Sequence, residues 1–429
     1  MSNAITRRAF VGTTVGLAAA SQARAAVGSD KIRLGFVGTG NRGDQLLDAF
    51  LRHDDAEVTA ICDIYQPYLE RARQRLPNAA SHHDFRDLIA RDDVDAVVIA
   101  TPDHWHAIQT IDACDAGKDV YVEKPLSMTI HEGRRMVEAA RRNERIVQVG
   151  THRRSSPLYA RMAELVRGGG IGHVSVARAY HISNMFPDGM GRAEPSDPPP
   201  ELDWNMWLGP RAMRPYQENI CPYKFRWWKD FSSQIANNGV HYLDAIRWMT
   251  GELAPASVCA MGGKFAVDDD RTIPDTLEAT FQYASGRIVV FGQYEASGAP
   301  AIRTGEVEVR GTQGTIYASG PKFEVMPERG GQFQDREPRM EPIEDSESGS
   351  NADLTALHAR NFLDCVRTRE QPNADVEDGH RSTTLSLLAN ISLATGKRLE
   401  WDAENERITN DEEANALLHY DYRAPWTLG

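Results

Sequence analysis

The stretch Ile32–Gly43, IRLGFVGTGNRG, decides how the rest of the chain is read. An apolar run passes into Gly38-Thr39-Gly40-Asn41-Arg42-Gly43, a G-x-G-x-x-G, and then into RGDQLLDAFLRH, which has helical spacing. Glycines in that setting allow a tight turn and let backbone N–H groups approach a diphosphate at a helix N-terminus. Asp63 closes the next apolar run, EVTAIC, 20 residues beyond Gly43. A carboxylate there accepts hydrogen bonds from the adenosine ribose hydroxyls and repels a 2′-phosphate, which predicts NAD rather than NADP.

Working outward, VDAVVIAT, DVYVE and RIVQVG read as further buried strands. They alternate with the helical segments PYLERARQRL, HAIQTIDACDAG and IHEGRRMVEAARRN, the grammar of a doubly wound parallel sheet. The fold class predicted is α/β, with a Rossmann dinucleotide-binding domain over 31–150. Beyond residue 150 the pattern changes to strand pairs with turn residues, among them TLEATFQYASGRIVVFGQYEA and GEVEVRGTQGTIYAS. This predicts a second α/β domain over 151–402 with an open, mostly antiparallel sheet, closed by two helices from DLTALHARNFLDCVRTR and EDGHRSTTLSLLANISLATG. Residues 328–350 read as a polar surface loop and 403–429 as a C-terminal tail.

The 429 residues are 41% hydrophobic and 25% charged, the balance of an ordinary globular chain. Net charge is −13, and loss of residues 1–25, which carry Arg7, Arg8 and Arg24 and no acid, takes it to −16. Such a chain does not seek nucleic acid or anionic lipid by electrostatics. No apolar run reaches the roughly 18 residues of a membrane span. Residues 1–25 do have a basic start, an apolar middle and an Ala23-Arg24-Ala25 exit, and Thr6-Arg7-Arg8-Ala9-Phe10 resembles a twin-arginine export signal. The expectation is export in folded form by the twin-arginine machinery to the periplasm. Five scattered cysteines without a close pair argue against a disulfide scaffold. His82, His83 and His104 lack acidic or thiol partners at metal spacing, so no metal site is predicted.

The segment ATPDHWHAIQTIDACDAGKDVYVEKPLS contains Thr101, Pro102 and His106 in T-P-x-x-x-H, and one strand later Glu123-Lys124-Pro125. Together with the glycine motif it resembles the glucose–fructose oxidoreductase/inositol dehydrogenase (Gfo/Idh/MocA) family, over Lys31 to about Asp402. The resemblance implies a two-domain enzyme that assembles as dimers or tetramers and binds NAD. It adds Thr101, Pro102, His106, Glu123 and Lys124 to the cofactor site, with Lys124 beside the nicotinamide and the reacting carbon. An ammonium there stabilises alkoxide character and relays a proton. The family's second signature, an Asp four residues before a His, corresponds to IANNGVHYLD, where His241 fills the His position and Asn237 stands in place of Asp. On a helical face Asn237 would orient the His241 imidazole by a hydrogen bond, without the charge that stabilises an imidazolium.

LDWNMWLGPRAMRPYQENICPYKFRWWKDF interleaves aromatic and basic residues. Flat rings stack on sugar C–H faces while polar groups take hydroxyls, which makes Trp207 and Arg226 substrate candidates. His181 and Asn184, at the end of the preceding strand, are two more. An exported enzyme meets no free NAD pool, so its cofactor must travel bound and be recycled in place. Two catalytic readings satisfy that: paired oxidation and reduction of sugars or polyols, or transient oxidation of a glycoside followed by elimination. A third reading is a non-catalytic NAD-bearing binding protein. Export is tested directly. Fractionation should find the chain in the periplasm, starting near Ala26, and the double change Arg7→Lys, Arg8→Lys should hold it in the cytoplasm; unchanged secretion of the double variant would remove the twin-arginine argument.

Overall fold

The computed structural model describes residues 31–302, 305–348 and 353–429; the leader expected over 1–25 lies outside them. Six parallel strands form the first sheet: β1 (Ile32–Val37), β2 (Ala56–Cys62), β3 (Ala80–His82), β4 (Ala96–Ile99), β5 (Asp119–Val122) and β6 (Val147–Val149). Their order, β3-β2-β1-β4-β5-β6, is that of a Rossmann sheet. Strands β4, β5 and β6 are buried at every position, as expected of strands covered by helices on both faces. β3 and the helix Phe85–Ile89 have no counterpart in the sequence reading. The three-residue edge strand has no continuous apolar run, and a five-residue helix is too short to show periodicity.

The second sheet comprises β7 (Val174–Ile182), β8 (Ser257–Gly263), β9 (Thr276–Gln282), β10 (Ile288–Tyr294), β11 (Val307–Gly311), β12 (Gly314–Ser319), β13 (Lys322–Pro327), β14 (Ile343–Ser346), β15 (Leu399–Asp402) and β16 (Arg407–Ile408). Among the described residues of this sheet only β7 and β10 pair in parallel; the other pairings are antiparallel. In β9 the buried Leu277, Ala279 and Phe281 alternate with Glu278, Thr280 and Gln282, so one face meets a helical layer and the other stays open. Helices Pro157–Arg167, Val240–Thr250 and Val376–Thr395 contribute Met162, Leu243, Ile246 and Leu388 to that core.

Three expectations need correction. The polar segment 328–350 is not all loop, because β14 lies within it and pairs with β13 as an edge strand whose polar side chains meet solvent. Helix Leu354–Thr368 does not close the second layer but covers the first sheet. Its Phe362 packs edge-on against Phe50 and Tyr121, at ring separations of 6.1 and 5.9 Å. An amphipathic pattern specifies an apolar face and is silent about which sheet receives it. The segment 403–429 is also more than a tail: it carries β16 and then runs back over the first sheet.

The long connection between β7 and helix Val240–Thr250 is held by a buried ionic network. Arg271 has no exposed side-chain surface and donates from Nε to both Asp269 oxygens (2.9 and 3.0 Å) and from Nη1 to Glu295 (2.5 Å). Glu295 also accepts from Trp227 Nε1 and Gln234 Nε2, and Asp269 from the Met190 amide. Every member is thereby satisfied, the condition under which buried charge is tolerated. Arg271→Met would strand two carboxylates, so urea unfolding should show a loss of about 3–5 kcal/mol. A change below about 1 kcal/mol would mean that the network does not hold the connection.

Candidate active site

A cleft at the C-terminal ends of β1, β2, β4 and β5 offers about 1070 Å³ of empty space, its open mouth included. Gly38 has φ +85°, and a Cβ there would lie 2.8 Å from the Ala100–Thr101 backbone. At Gly43 a Cβ would fall 2.0 Å from the Gly38 carbonyl oxygen, and at Gly40 2.8 Å from the Tyr68 ring. Side chains at these positions would close the turn. No side chain caps the helix Asn41–Phe50 that follows, so its first turn presents backbone N–H groups to the cavity rim. Asp63 lies at the end of β2, where Oδ2 accepts from the Thr39 amide (2.8 Å) and hydroxyl (3.2 Å), and Oδ1 from the Tyr65 amide (2.9 Å). A glycine cradle, an uncapped helix and a strand-end carboxylate fit a dinucleotide.

Arg42 donates to Glu123 (2.7 Å), tying the glycine turn to the E-K-P end of β5. Burial pushes the Glu123 carboxyl up, but Arg42, Lys124 and the Lys124 amide outweigh it and leave the group below its ordinary value. Thr101 donates to Gln109, and Pro102 begins the short turn Asp103–Trp105. The ring nitrogens of His106 lie 2.7 Å from the Pro125 carbonyl and 2.9 Å from that of Thr101. His106 is therefore a strut joining the T-P-x-x-x-H turn to E-K-P, and it is also among the residues that line the cavity.

Lys124 Nζ donates to the Asn237 carbonyl (2.8 Å) and lies 3.4 Å from its Oδ1. Burial pushes the ammonium down to about 8, helped by Arg226 and Arg42 and opposed by Glu123 and Asp103. A lysine so tuned can hold or release a proton near neutral pH. The expected Asn237–His241 hydrogen bond is not made. Residues Ile235–Gly239 form a π turn before the α-helix begins, which breaks the α-helical stacking that four-residue spacing implies. Asn237 serves Lys124 instead, and His241 Nδ1 is buried without a partner.

Of the substrate candidates, Trp207 and Arg226 line the cavity. The Trp207 ring stacks on Trp204 (4.9 Å), and its carbonyl accepts from His104 (2.8 Å) and Trp105 (3.1 Å). Arg226 lies over Tyr223, 4.3 Å from the ring centre. His181 stands apart from the cavity wall, its Nε2 3.5 Å from the side-chain Nδ2 of Asn238. Asn184 is not in the site: it is exposed, and its side chain accepts from the Phe186 amide in a local turn. A polar residue at a strand end serves equally as a turn cap, and the sequence does not separate the two.

Sequence reasoning missed three contributions. Tyr65, Tyr68 and Phe225 complete the cavity wall. His152, after β6, faces His241 with ring centres 4.9 Å apart; its signal was the location of THRRSSP at a parallel strand end. The third is the C-terminal strap. Trp426 packs on Trp105 (4.7 Å) and Phe85 (6.4 Å), both cavity-lining, while Tyr422 donates to Glu132 and Arg423 to Asn205 and the Gly209 carbonyl. Among the described residues no group of three or more His, Cys, Asp or Glu is placed to hold a metal, and no helix is long and apolar enough to cross a membrane.

Comparison with known proteins follows the same division. Solved structures of the same fold include levoglucosan dehydrogenase in complex with NADH and levoglucosan (TM-score 0.67, 18% identity, 86% of this chain and 99% of that one). Another is scyllo-inositol dehydrogenase from Lactobacillus casei with bound NAD(H) and scyllo-inositol (TM-score 0.63, 20% identity, 86% and 99%). Among curated sequences, a glycosyl hydrolase family 109 protein of Shewanella baltica (strain OS155) is 37% identical over 125 residues, 27% of each chain. The match thus spans about a quarter of that relative's length. Residues 32–151 match the Gfo/Idh/MocA description "Oxidoreductase family, NAD-binding Rossmann fold", and residues 173–428 its "C-terminal alpha/beta domain". The chain belongs to the Gfo/Idh/MocA oxidoreductase family and carries that family's NAD-binding Rossmann domain.

Proposed function

We propose that this protein is a periplasmic NAD-dependent enzyme acting at a hydroxyl-bearing carbon of a sugar, polyol or glycoside, with a tightly held cofactor recycled in place. The observation that carries the reading is Lys124: a half-buried lysine on the cavity wall, its ammonium held by Asn237 and pushed down to about 8. Bound NAD supplies a hydride acceptor that can also return the hydride. The chain's own residues do the rest. Lys124 Nζ steadies the developing alkoxide, and Trp207 and Arg226 offer a ring face and hydrogen-bond donors to the substrate. The twin-arginine-like leader supports export, and with it a cofactor that cannot be exchanged from a cytoplasmic pool.

Within this reading, transient oxidation and elimination of a glycoside is the second version, and the relatives named glycosyl hydrolase family 109 favour it. Oxidation to a ketone acidifies the neighbouring C–H; loss of that proton expels the aglycone and leaves a double bond, water adds across that bond, and return of hydride restores the sugar's hydroxyl-bearing carbon. This route needs a base and an acid but no pair of catalytic carboxylates. Glu123, the carboxylate next to Lys124, is committed to Arg42.

Two measurements follow. The purified protein should keep NAD through dialysis, and Asp63→Ala should reduce its preference over NADP by about one to two orders of magnitude, the scale of losing a charged hydrogen-bond acceptor. Tightly bound NADP in the wild type would show that Asp63 does not face the ribose. Second, a glycoside and polyol panel should be turned over repeatedly without added NAD. With a substrate deuterated at the oxidised carbon, the label ends in the co-product under paired redox and returns to the released sugar under elimination. Turnover that scales with added NAD, with reduced cofactor accumulating in solution, would make this an ordinary dehydrogenase.

A further inference from the structure

Two buried ring nitrogens without a hydrogen-bond partner, His152 Nδ1 and His241 Nδ1, belong to rings that face each other, 4.9 Å between centres and inclined at 54°. The arrangement is built rather than accidental. The turn His152–Ser155 is clamped to helix Val240–Thr250 by three successive contacts in register. His152 meets His241, the Arg153 guanidinium lies over the Tyr242 ring at 4.5 Å, and Arg154 Nε donates to both Asp244 oxygens at 2.9 Å. The Arg154–Asp244 pair is nearly sealed from solvent, with side chains 6% and 0% exposed. A neighbouring histidine shows what a structural imidazole does here: both His358 nitrogens are engaged, with the Ser155 hydroxyl at 2.7 Å and the Val149 carbonyl at 2.9 Å. Leaving two orphan nitrogens in one contact costs stability that any ordinary packing residue would avoid.

We propose that His152 is the proton partner of His241, so that the two rings form a neutral acid–base pair beside Lys124 in place of a carboxylate–histidine pair. The proposal rests on the carbohydrate reading above for its substrate, while the pair itself is a property of these residues. One Nδ1 carries a hydrogen and the other a lone pair, and a modest ring rotation joins them. When a substrate hydroxyl gives its proton to His241, that ring passes its Nδ1 proton to His152, and the pair holds one added positive charge. Bound NAD would supply the acceptor for the hydride that carries the substrate's two C–H bonding electrons. In the reverse sense, His152 returns the proton through His241 as hydride returns, so atoms and charge balance over the cycle.

The surroundings suit a transient proton. The charged and titratable groups acting on the pair are Lys124, Arg42 and Arg153, with His358 acting on His152 and His152 itself on His241. Burial and these cations push both imidazoles well below their ordinary value, so an added proton is readily surrendered. The nearby carboxylates are occupied: Glu306 pairs with Arg153 (3.1 Å) and Asp244 with Arg154.

Histidine-selective 15N labelling of the full chain reads the rings without substrate. In His152→Gln, which keeps polarity and removes titration, His241 should gain its proton at lower pH than in the wild type. In His152→Asp, where a carboxylate faces the ring, it should do so at higher pH. Kinetically, His152→Gln should lower kcat about ten- to a hundredfold, with KM and bound NAD unchanged. The low-pH limit of activity should move up in His152→Asp. His241 signals that titrate identically in all three proteins would overturn the proposal, as would a His152→Gln enzyme with wild-type kcat and pH limit. Should His152→Gln fail to fold, the His152→Asp shift alone decides. Coupled titration without turnover of any glycoside or polyol would support the pair and remove the substrate class instead.

Discussion

The contact between Lys124 Nζ and the Asn237 carbonyl joins the end of β5 in one sheet to the π turn above the other. Burying an ammonium is costly unless its hydrogens are met, and here a main-chain oxygen meets one. That choice has consequences for the site. A backbone acceptor adds no full charge, and burial brings the lysine down to about 8 against the opposing pull of Glu123 and Asp103. It also commits the main chain at 237, which accompanies the departure from α-helical geometry. The same departure frees His241 from position 237.

The first sheet was legible because its grammar is redundant. Continuous apolar runs, strand-ending glycines and an acid at the end of β2 all point to one arrangement, and local preferences agree with the tertiary outcome. The second sheet was legible as alternation and turns, down to the β9–β10 pairing. What could not be read were relations between distant segments. Nothing in LTALHARNFLDCVRT says that Phe362 belongs with Phe50 rather than with the nearer β-layer. The irregular stretch between β7 and helix Val240–Thr250 offered only the aromatic content of its core, in which Trp204, Trp207 and Phe231 pack. Its anchor, Arg271, comes later in the chain.

The site divides along the same line. Residues whose role is fixed by local backbone shape, Gly38, Gly40 and Gly43, follow from their spacing. Those whose role depends on a partner across the fold do not. Asn237 was placed with His241 on the family resemblance and a four-residue helical spacing, and one wide helical turn sufficed to give it to Lys124. Asn184 looked like a ligand because polar strand ends often are. His152 carried only the signal of a parallel strand end, and its partner His241 is fixed by the clamp that Arg154 makes with Asp244.

The strap that brings Trp426 onto Trp105 bears on modularity. A Rossmann half is commonly treated as a cassette that can be excised, grafted or swapped. In this chain the excised piece would keep its glycines and Asp63 and lose the ring that backs Trp105, the Trp207 carbonyl that holds its indole, and helix Leu354–Thr368 over its sheet. Segments more than 200 residues apart complete one wall, and closing so wide a loop adds little entropic cost over a shorter one. Recombination among relatives would therefore have to exchange the glycine turn and the strap together. A chimera that moves only the contiguous first half inherits a binding pocket with an unfinished side.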